Sequence, residues 1–289
     1  MSKEGNYHLP TIERILTLLE NSDFLIEESG NYSISEKYSA YVLKSSPWYN
    51  GEIWLLHQQL NRELFGHLTE MARTGESGIN VFASNNTKVW DSAMPFLNSL
   101  AKISAEAIVN HFKDSLLEKD HLTILDLGCG TGFYTASLLK ENVTWQGIGI
   151  DTETVTKIAE DKNKDLVAQG RLQFQAGNIF EELPDVSKVD IIILSNVMHG
   201  YNQEENIELI KNARRYLKPN GLILVNEFLL TNPSDSLESM FDLFFSLVGT
   251  GSSFTDKQLL QIFEAVHLSK IDQIDLNGPS TVYIFSNNQ

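Results

Sequence analysis

From Leu122 onward, short runs of consecutive apolar residues alternate with longer stretches whose apolar positions recur every three or four residues. "TILDLG", "WQGIGID", "LQFQAGNI", "VDIIILSNVM" and "GLILVNEFLL" predict strands. "FYTASLLKE", "TVTKIAEDKNKDLVAQG" and "EENIELIKNARRYL" predict the helices between them. Strands that are apolar throughout belong to a sheet buried on both faces, and helical crossovers make neighbouring strands parallel. The expected fold class is therefore α/β, a doubly wound, mostly parallel sheet, with "TVYIFSN" as an edge strand.

Ahead of this domain the pattern differs. Leu9 to Leu25 carries a broad apolar stripe (Ile12, Ile15, Leu16, Leu18, Leu19) and predicts an amphipathic helix. "FLIEESGNYSIS" follows, two short strands about a Ser-Gly-Asn turn. Helix then hairpin outlines a smaller, mainly helical, winged-helix-like module. DNA recognition by such a module needs Lys and Arg. Residues 1–60 hold Lys3, Arg14, Lys37 and Lys44 against twice as many acidic residues, so packing or homodimerisation is the expected role. The polar stretch Arg73 to Lys88 marks a boundary, giving expected domains of 1–84 and 85–289, the second opening on a linker helix from Val89 to Phe112.

Composition narrows the partners. A chain of 289 residues, 42% hydrophobic, can bury one sizeable core and a smaller second one. Its net charge of -16, from 22 Lys and Arg against 38 Asp and Glu, repels phosphate backbones and anionic membrane surfaces, so neither nucleic acid nor membrane is expected as a partner. The most apolar stretches, such as Ile191 to Val197, are too short to span a bilayer, and "MSKEGNYHLP" lacks the apolar core of a signal peptide. Cys129 is the single cysteine, which leaves no internal disulfide and makes the reducing cytoplasm the expected location.

Candidate chemistry centres on "TILDLGCGTGFYTASLL". Gly128, Gly130 and Gly132 between a strand and a helix let backbone N–H groups approach a ligand at the helix N-terminus. The dinucleotide fingerprint requires a glycine where Phe133 stands, and the P-loop ending Gly-Lys-Ser/Thr is absent. What remains is D-x-G-x-G-x-G, with Asp151 ending the next strand about 20 residues on, placed to accept both ribose hydroxyls of a nucleoside. Asp126 adds negative charge that suits an ammonium and a sulfonium and disfavours a diphosphate. S-adenosylmethionine has those features.

In "LDLGCGTG" the chain resembles the class I S-adenosylmethionine-dependent methyltransferases, a Rossmann-like fold. The resemblance implies that Asn178, where the family usually has Asp, meets the adenine amino group, and that the N–H of Ile179 meets a ring nitrogen; Ser195 and Asn196 complete the implied cofactor set. "LSNVMHGYNQEENIELIKNARRYLKPNGLILVNEFLL" is similar to the small-molecule O-methyltransferases of the plant caffeic acid and bacterial polyketide-tailoring types. That similarity implies His199 as general base, steadied by Glu227. Gly200 stands where those enzymes have Asp, and Ser253 where they have a second carboxylate, which leaves a less fixed, less basic imidazole. Trp90 and Met94 match the helix packing near the methyl donor, and Phe241, Phe244 and Phe245 lie on the helix of the opposite wall, able to stack on an aromatic acceptor. No carboxylate follows the fourth strand, so no metal is expected. The expected function is transfer of a methyl group to a hydroxyl of a small, aromatic metabolite. The alternatives are carbon or nitrogen methylation, a non-methylating enzyme of the same fold, and a non-catalytic winged-helix regulator.

Overall fold

The computed structural model describes residues 7–46, 49, 51, 66–76, 87–113, 119–183, 185–232, 235–276 and 280–287. The chain divides into two units, 1–55 and 56–289. The boundary segment inferred from sequence lies largely outside the described residues. Among the described residues no helix is long and apolar enough to cross a membrane.

In the first unit, α1 (Leu9–Asn21) opens with Pro10 in its first turn, where a missing N–H costs no hydrogen bond. It ends earlier than its apolar stripe suggests, because Leu25 already belongs to β1 (Leu25–Glu28), which pairs antiparallel with β2 (Asn31–Ile34). Ser29 and Gly30 make the turn, both at positive φ, which matches the strand twist of a tight hairpin. α2 (Glu36–Val42) follows.

The second unit begins its described core with α3 (Thr87–Phe112) and continues as β3 (Thr123–Leu127), α4 (Phe133–Glu141), β4 (Gln146–Asp151), α5 (Glu153–Lys162), α6 (Lys164–Ala168), β5 (Leu172–Ala176), β6 (Val189–Ser195), a 3-10 turn at Met198–Gly200, α7 (Gln203–Arg214), β7 (Leu217–Phe228), α8 (Ser236–Val248), α9 (Asp256–Glu264), β8 (Ser269–Asp275) and β9 (Ser280–Ser286). The single helix expected over 154–170 is broken at Asn163, whose side chain donates to Thr131 O and Ala159 O and so interrupts the helical ladder.

The strands form one seven-stranded sheet in the order β5-β4-β3-β6-β7-β9-β8. β3 to β7 are parallel, and β9 runs antiparallel to both β7 and β8. "TVYIFSN" is therefore not an edge strand. β8 takes the edge, and its exposed, charge-bearing sequence SKIDQID gives little apolar signal.

Alternate residues of each strand feed two cores. Leu125, Ile192, Leu194, Val225 and Phe285 pack under α7 and α9, where Phe263 stacks on Phe285 at 3.6 Å. Ile124, Ile191, Ile193, Leu224 and Ile284 pack under α3 and α4. Strand order reverses between β3 and β6, and an open α/β sheet binds its ligand at the carboxyl ends of such a switch point.

Candidate active site

The loop after β3 is held by the neighbouring strand. The amides of Gly128 and Cys129 donate to Ile150 O at 2.8 and 3.1 Å, and the Gly130 amide donates to Asp151 Oδ2 at 2.9 Å. The amides expected to face a ligand are thus spent inside the protein, and what the loop offers is bare surface. Gly132 shows why glycine is needed: it precedes α4 at φ +70°, and a Cβ there would lie 2.6 Å from Phe174 Cζ.

Asp151 accepts from Gly130 and, through Oδ1, from the Thr152 amide at 2.7 Å. Burial raises its pKa and those bonds oppose the rise. Two backbone N–H groups occupy half of the carboxylate's acceptor sites, so the other lone pairs stay available. Asp126 is 2% exposed and accepts from Thr135 Oγ1 at 2.8 Å. Burial pushes its pKa up to about 7; Thr135 opposes the rise and the charge of Asp151 adds to it.

Around these acids lies a cavity of about 740 Å³. Its described lining includes Asp126, Asp151, Glu153 and Glu205 and no Lys, Arg or His, a field that favours a cation and repels phosphate. Met94, 4% exposed, reaches it from α3. Asn196 lines it at φ +56°, and its buried Oδ1 has no hydrogen-bond partner, an acceptor left for an incoming N–H or O–H. Ser195 Oγ and the Tyr134 hydroxyl both accept from Asn226 Nδ2, at 3.1 and 3.0 Å, so the cavity floor is braced by a buried polar network. Asn178 and Ile179 also line the cavity. Asn178 is exposed, and its carboxamide builds a local turn, accepting from the Phe180 amide at 3.1 Å and donating to Glu181 at 2.9 Å. Cys129 is buried, and its thiol pKa is raised by that burial.

His199 sits on the 3-10 turn beyond β6, and Glu227 near the end of β7 meets it: Nδ1 lies 2.7 Å from Glu227 Oε2. An ionised carboxylate can only accept, so Nδ1 carries the proton and Nε2 is left as the basic nitrogen. Glu227 is fully buried, and its other oxygen accepts from the Val197 and Met198 amides at 2.9 and 2.7 Å. One carboxylate therefore fixes both the imidazole and the backbone that carries it.

His199 does not line the 740 Å³ cavity. Phe245, expected to stack on an acceptor, stacks on the imidazole instead, and half-buried Phe241 packs against Phe228 and Phe245. Trp90 lies in α3, with its side chain outside the described set. Ser253 is buried; its amide donates to Asp242 Oδ1 at 3.0 Å and its hydroxyl has no partner. Sequence reading missed Thr135, Tyr134, Asn206 and Glu205. Glu205 had a signal, the N-x-x-E spacing from Asn202 that forms a capping box, and Asn206 is, with Asn212, an asparagine among the buried positions of α7.

Known proteins place this geometry. A family model described as methyltransferase domain matches residues 118–265, just over half of the chain. O-methyltransferase 12 of Dictyostelium discoideum is 28% identical over 171 residues, covering 59% of this chain but 45% of that protein. Desmethylxanthohumol 6'-O-methyltransferase of Humulus lupulus is 24% identical over 291 residues, covering 91% of this chain and 79% of that one. The crystal structure of human N-acetylserotonin methyltransferase in complex with SAM superposes with a TM-score of 0.81 at 17% identity, over 100% of this chain and 86% of that one, a likeness that speaks to the fold. The four carboxylates of the cavity and the His199–Glu227 pair fall inside residues 118–265, and the match over that stretch decides what the fold alone leaves open: the chain belongs to the methyltransferase domain family.

Proposed function

We propose that the protein is an S-adenosylmethionine-dependent O-methyltransferase acting on a hydroxyl of a small, aromatic metabolite. The observation that carries the reading is the buried His199–Glu227 pair beside a cavity whose described lining holds four carboxylates and no basic side chain. The residues fit the cofactor. The unpartnered Asn196 Oδ1 and the two desolvated acids, Asp126 and Asp151, would hold a ligand that brings positive charge and N–H or O–H donors; Asn178 and Ile179 border the same space. When bound, S-adenosylmethionine supplies a methyl group already activated by its sulfonium.

The chain's own task is orientation and proton removal. His199 Nε2 takes the hydroxyl proton as the acceptor oxygen becomes nucleophilic. Glu227 keeps the Nδ1–H tautomer and stabilises the imidazolium that results. The similar Humulus lupulus protein is a desmethylxanthohumol 6'-O-methyltransferase, which supports a hydroxyl of a small molecule as acceptor.

A nitrogen acceptor is the second reading. His199 lies outside the cavity lining, and an amine needs no base poised against it. The test is conversion of S-adenosylmethionine to S-adenosylhomocysteine by purified protein with panels of phenols and of aromatic amines, in wild type and His199→Ala. Turnover of phenols that is abolished in the variant, with cofactor affinity intact, is expected. Turnover that survives the substitution would remove the base assignment.

A further inference from the structure

The turn that carries His199 is fastened from two sides. Glu227 collects its donors: the Val197 and Met198 amides and the imidazole Nδ1–H. Asn206, the fourth residue of α7, collects its acceptors. Its Nδ2 donates to the carbonyls of Met198, Tyr201 and Asn202, each at 2.9 Å. The two carbonyls at 198 and 201 bracket the histidine, so one carboxamide ties the entry and the exit of the turn to a rigid helix. Gly200, between them, has no side chain with which to brace the turn itself.

Asn206 is fully buried, and its Oδ1 has no hydrogen-bond partner. A buried polar oxygen without a donor is destabilising, and an apolar side chain of similar size on α7 would avoid that cost. That cost is set against the bonds that Asn206 Nδ2 makes to three backbone carbonyls, which an apolar side chain would forgo. What asparagine adds is a two-proton donor aimed at the backbone on both sides of His199.

We infer that Asn206 is a positioning residue for the His199 imidazole, setting the height of the Met198–Gly200 turn so that Nδ1 meets Glu227 and the ring keeps one orientation. The inference rests on the reading of His199 as the base. Asn206 does not line the cavity; it acts through the turn.

The experiment uses the full chain labelled with ¹⁵N-histidine, with the His199 signal assigned by its loss in His199→Ala. Asn206→Leu keeps volume and removes the donor, whereas Asn206→Ser restores one hydroxyl donor. Both are expected to fold and to bind S-adenosylmethionine as the wild type does. The His199 Nδ1 signal should lose its carboxylate-bonded position in Asn206→Leu and recover part of it in Asn206→Ser. Phenol methylation should fall by about 10- to 100-fold in kcat with KM little changed, and the pH of half-maximal rate should move. A wild-type imidazole signal and pH profile in both variants would overturn the proposal, as would failure of both to fold, which would make Asn206 structural only. Should the wild type methylate no phenol, the imidazole signal still decides the positioning role, so the two readings fail separately.

Discussion

The Phe245 ring lies face to face with the His199 imidazole, with 3.9 Å between centroids and 20° between planes. Phe228 meets the same imidazole edge-on at 6.0 Å, and the histidine side chain keeps only 6% of its surface exposed. A reagent reaches the imidazole only when this part of α8 opens. Phe245→Ala should therefore speed carbethoxylation of His199 by diethyl pyrocarbonate, read from the mass of its peptide, by on the order of tenfold or more. Truncation of a buried Phe also costs about 3–5 kcal/mol of stability, so Phe245→Leu is measured beside it. Equal rates in all three proteins would show that the ring shields nothing.

Glu227→Gln keeps the side chain's shape and halves its accepting capacity. The new NH₂ must face either the amides of Val197 and Met198 or the imidazole N–H, donor against donor. Methyl transfer should fall by roughly 10² to 10⁴, the size of a general-base contribution, while binding of S-adenosylmethionine, measured by titration calorimetry, changes little.

Asp126 ties stability to pH. Its folded pKa of about 7 stands above the ordinary carboxylate value of 3.8, so between those values the native state holds a proton that the unfolded chain has released. Native stability accordingly falls as pH rises from about 4 through 7, by a few kcal/mol at most. Asp126→Asn should flatten this slope: its melting temperature should exceed that of the wild type at pH 8 and approach it at pH 4. Parallel curves would refute the assignment.

Two glycines of like backbone separate strain from collision. Gly170 has φ +68°, with nothing within 4 Å of a built Cβ, whereas Gly132 has φ +70° with Phe174 at 2.6 Å. Gly170→Ala should cost only the conformational penalty of about 1–2 kcal/mol. Gly132→Ala should cost more, because an aromatic ring must also move, and should weaken cofactor binding. Chemical denaturation of both variants checks the difference.

Much of this was legible in the chain because burial writes itself into composition. The run Ile191 to Leu194 is apolar at every position because both faces of β6 are covered, and each of those residues is at most 1% exposed. Thr255 and Gln258 form the reciprocal cap that their spacing implies. The His199–Glu227 pair was implied by the resemblance to the O-methyltransferases, and the two side chains meet beyond the carboxyl end of β6 and near that of β7.

What was hidden depends on geometry that spacing does not encode. β8 carries the hydropathy of a loop because an edge strand exposed on both faces buries little. The loop amides turn toward Ile150 and Asp151, not outward, a choice made by the register of β3 with β4. Phe245 was placed on the acceptor wall by the resemblance of its helix, which does not encode that its ring meets the His199 imidazole. Asn206 lies on the apolar face of α7, and only the fold reveals the carbonyls that require it there.

The placement of β9 bears on the order in which the enzyme can be built. Its residues Thr281 and Val282 pair with Glu227 and Asn226, so β7 gains its second neighbour only from a segment made some 50 residues later. A nascent chain that already contains both His199 and Glu227 still has β7 open along one side, and closing it is a non-local event of the slow kind. Closure of the sheet beside Glu227 during synthesis thus waits on the arrival of residues 280–286.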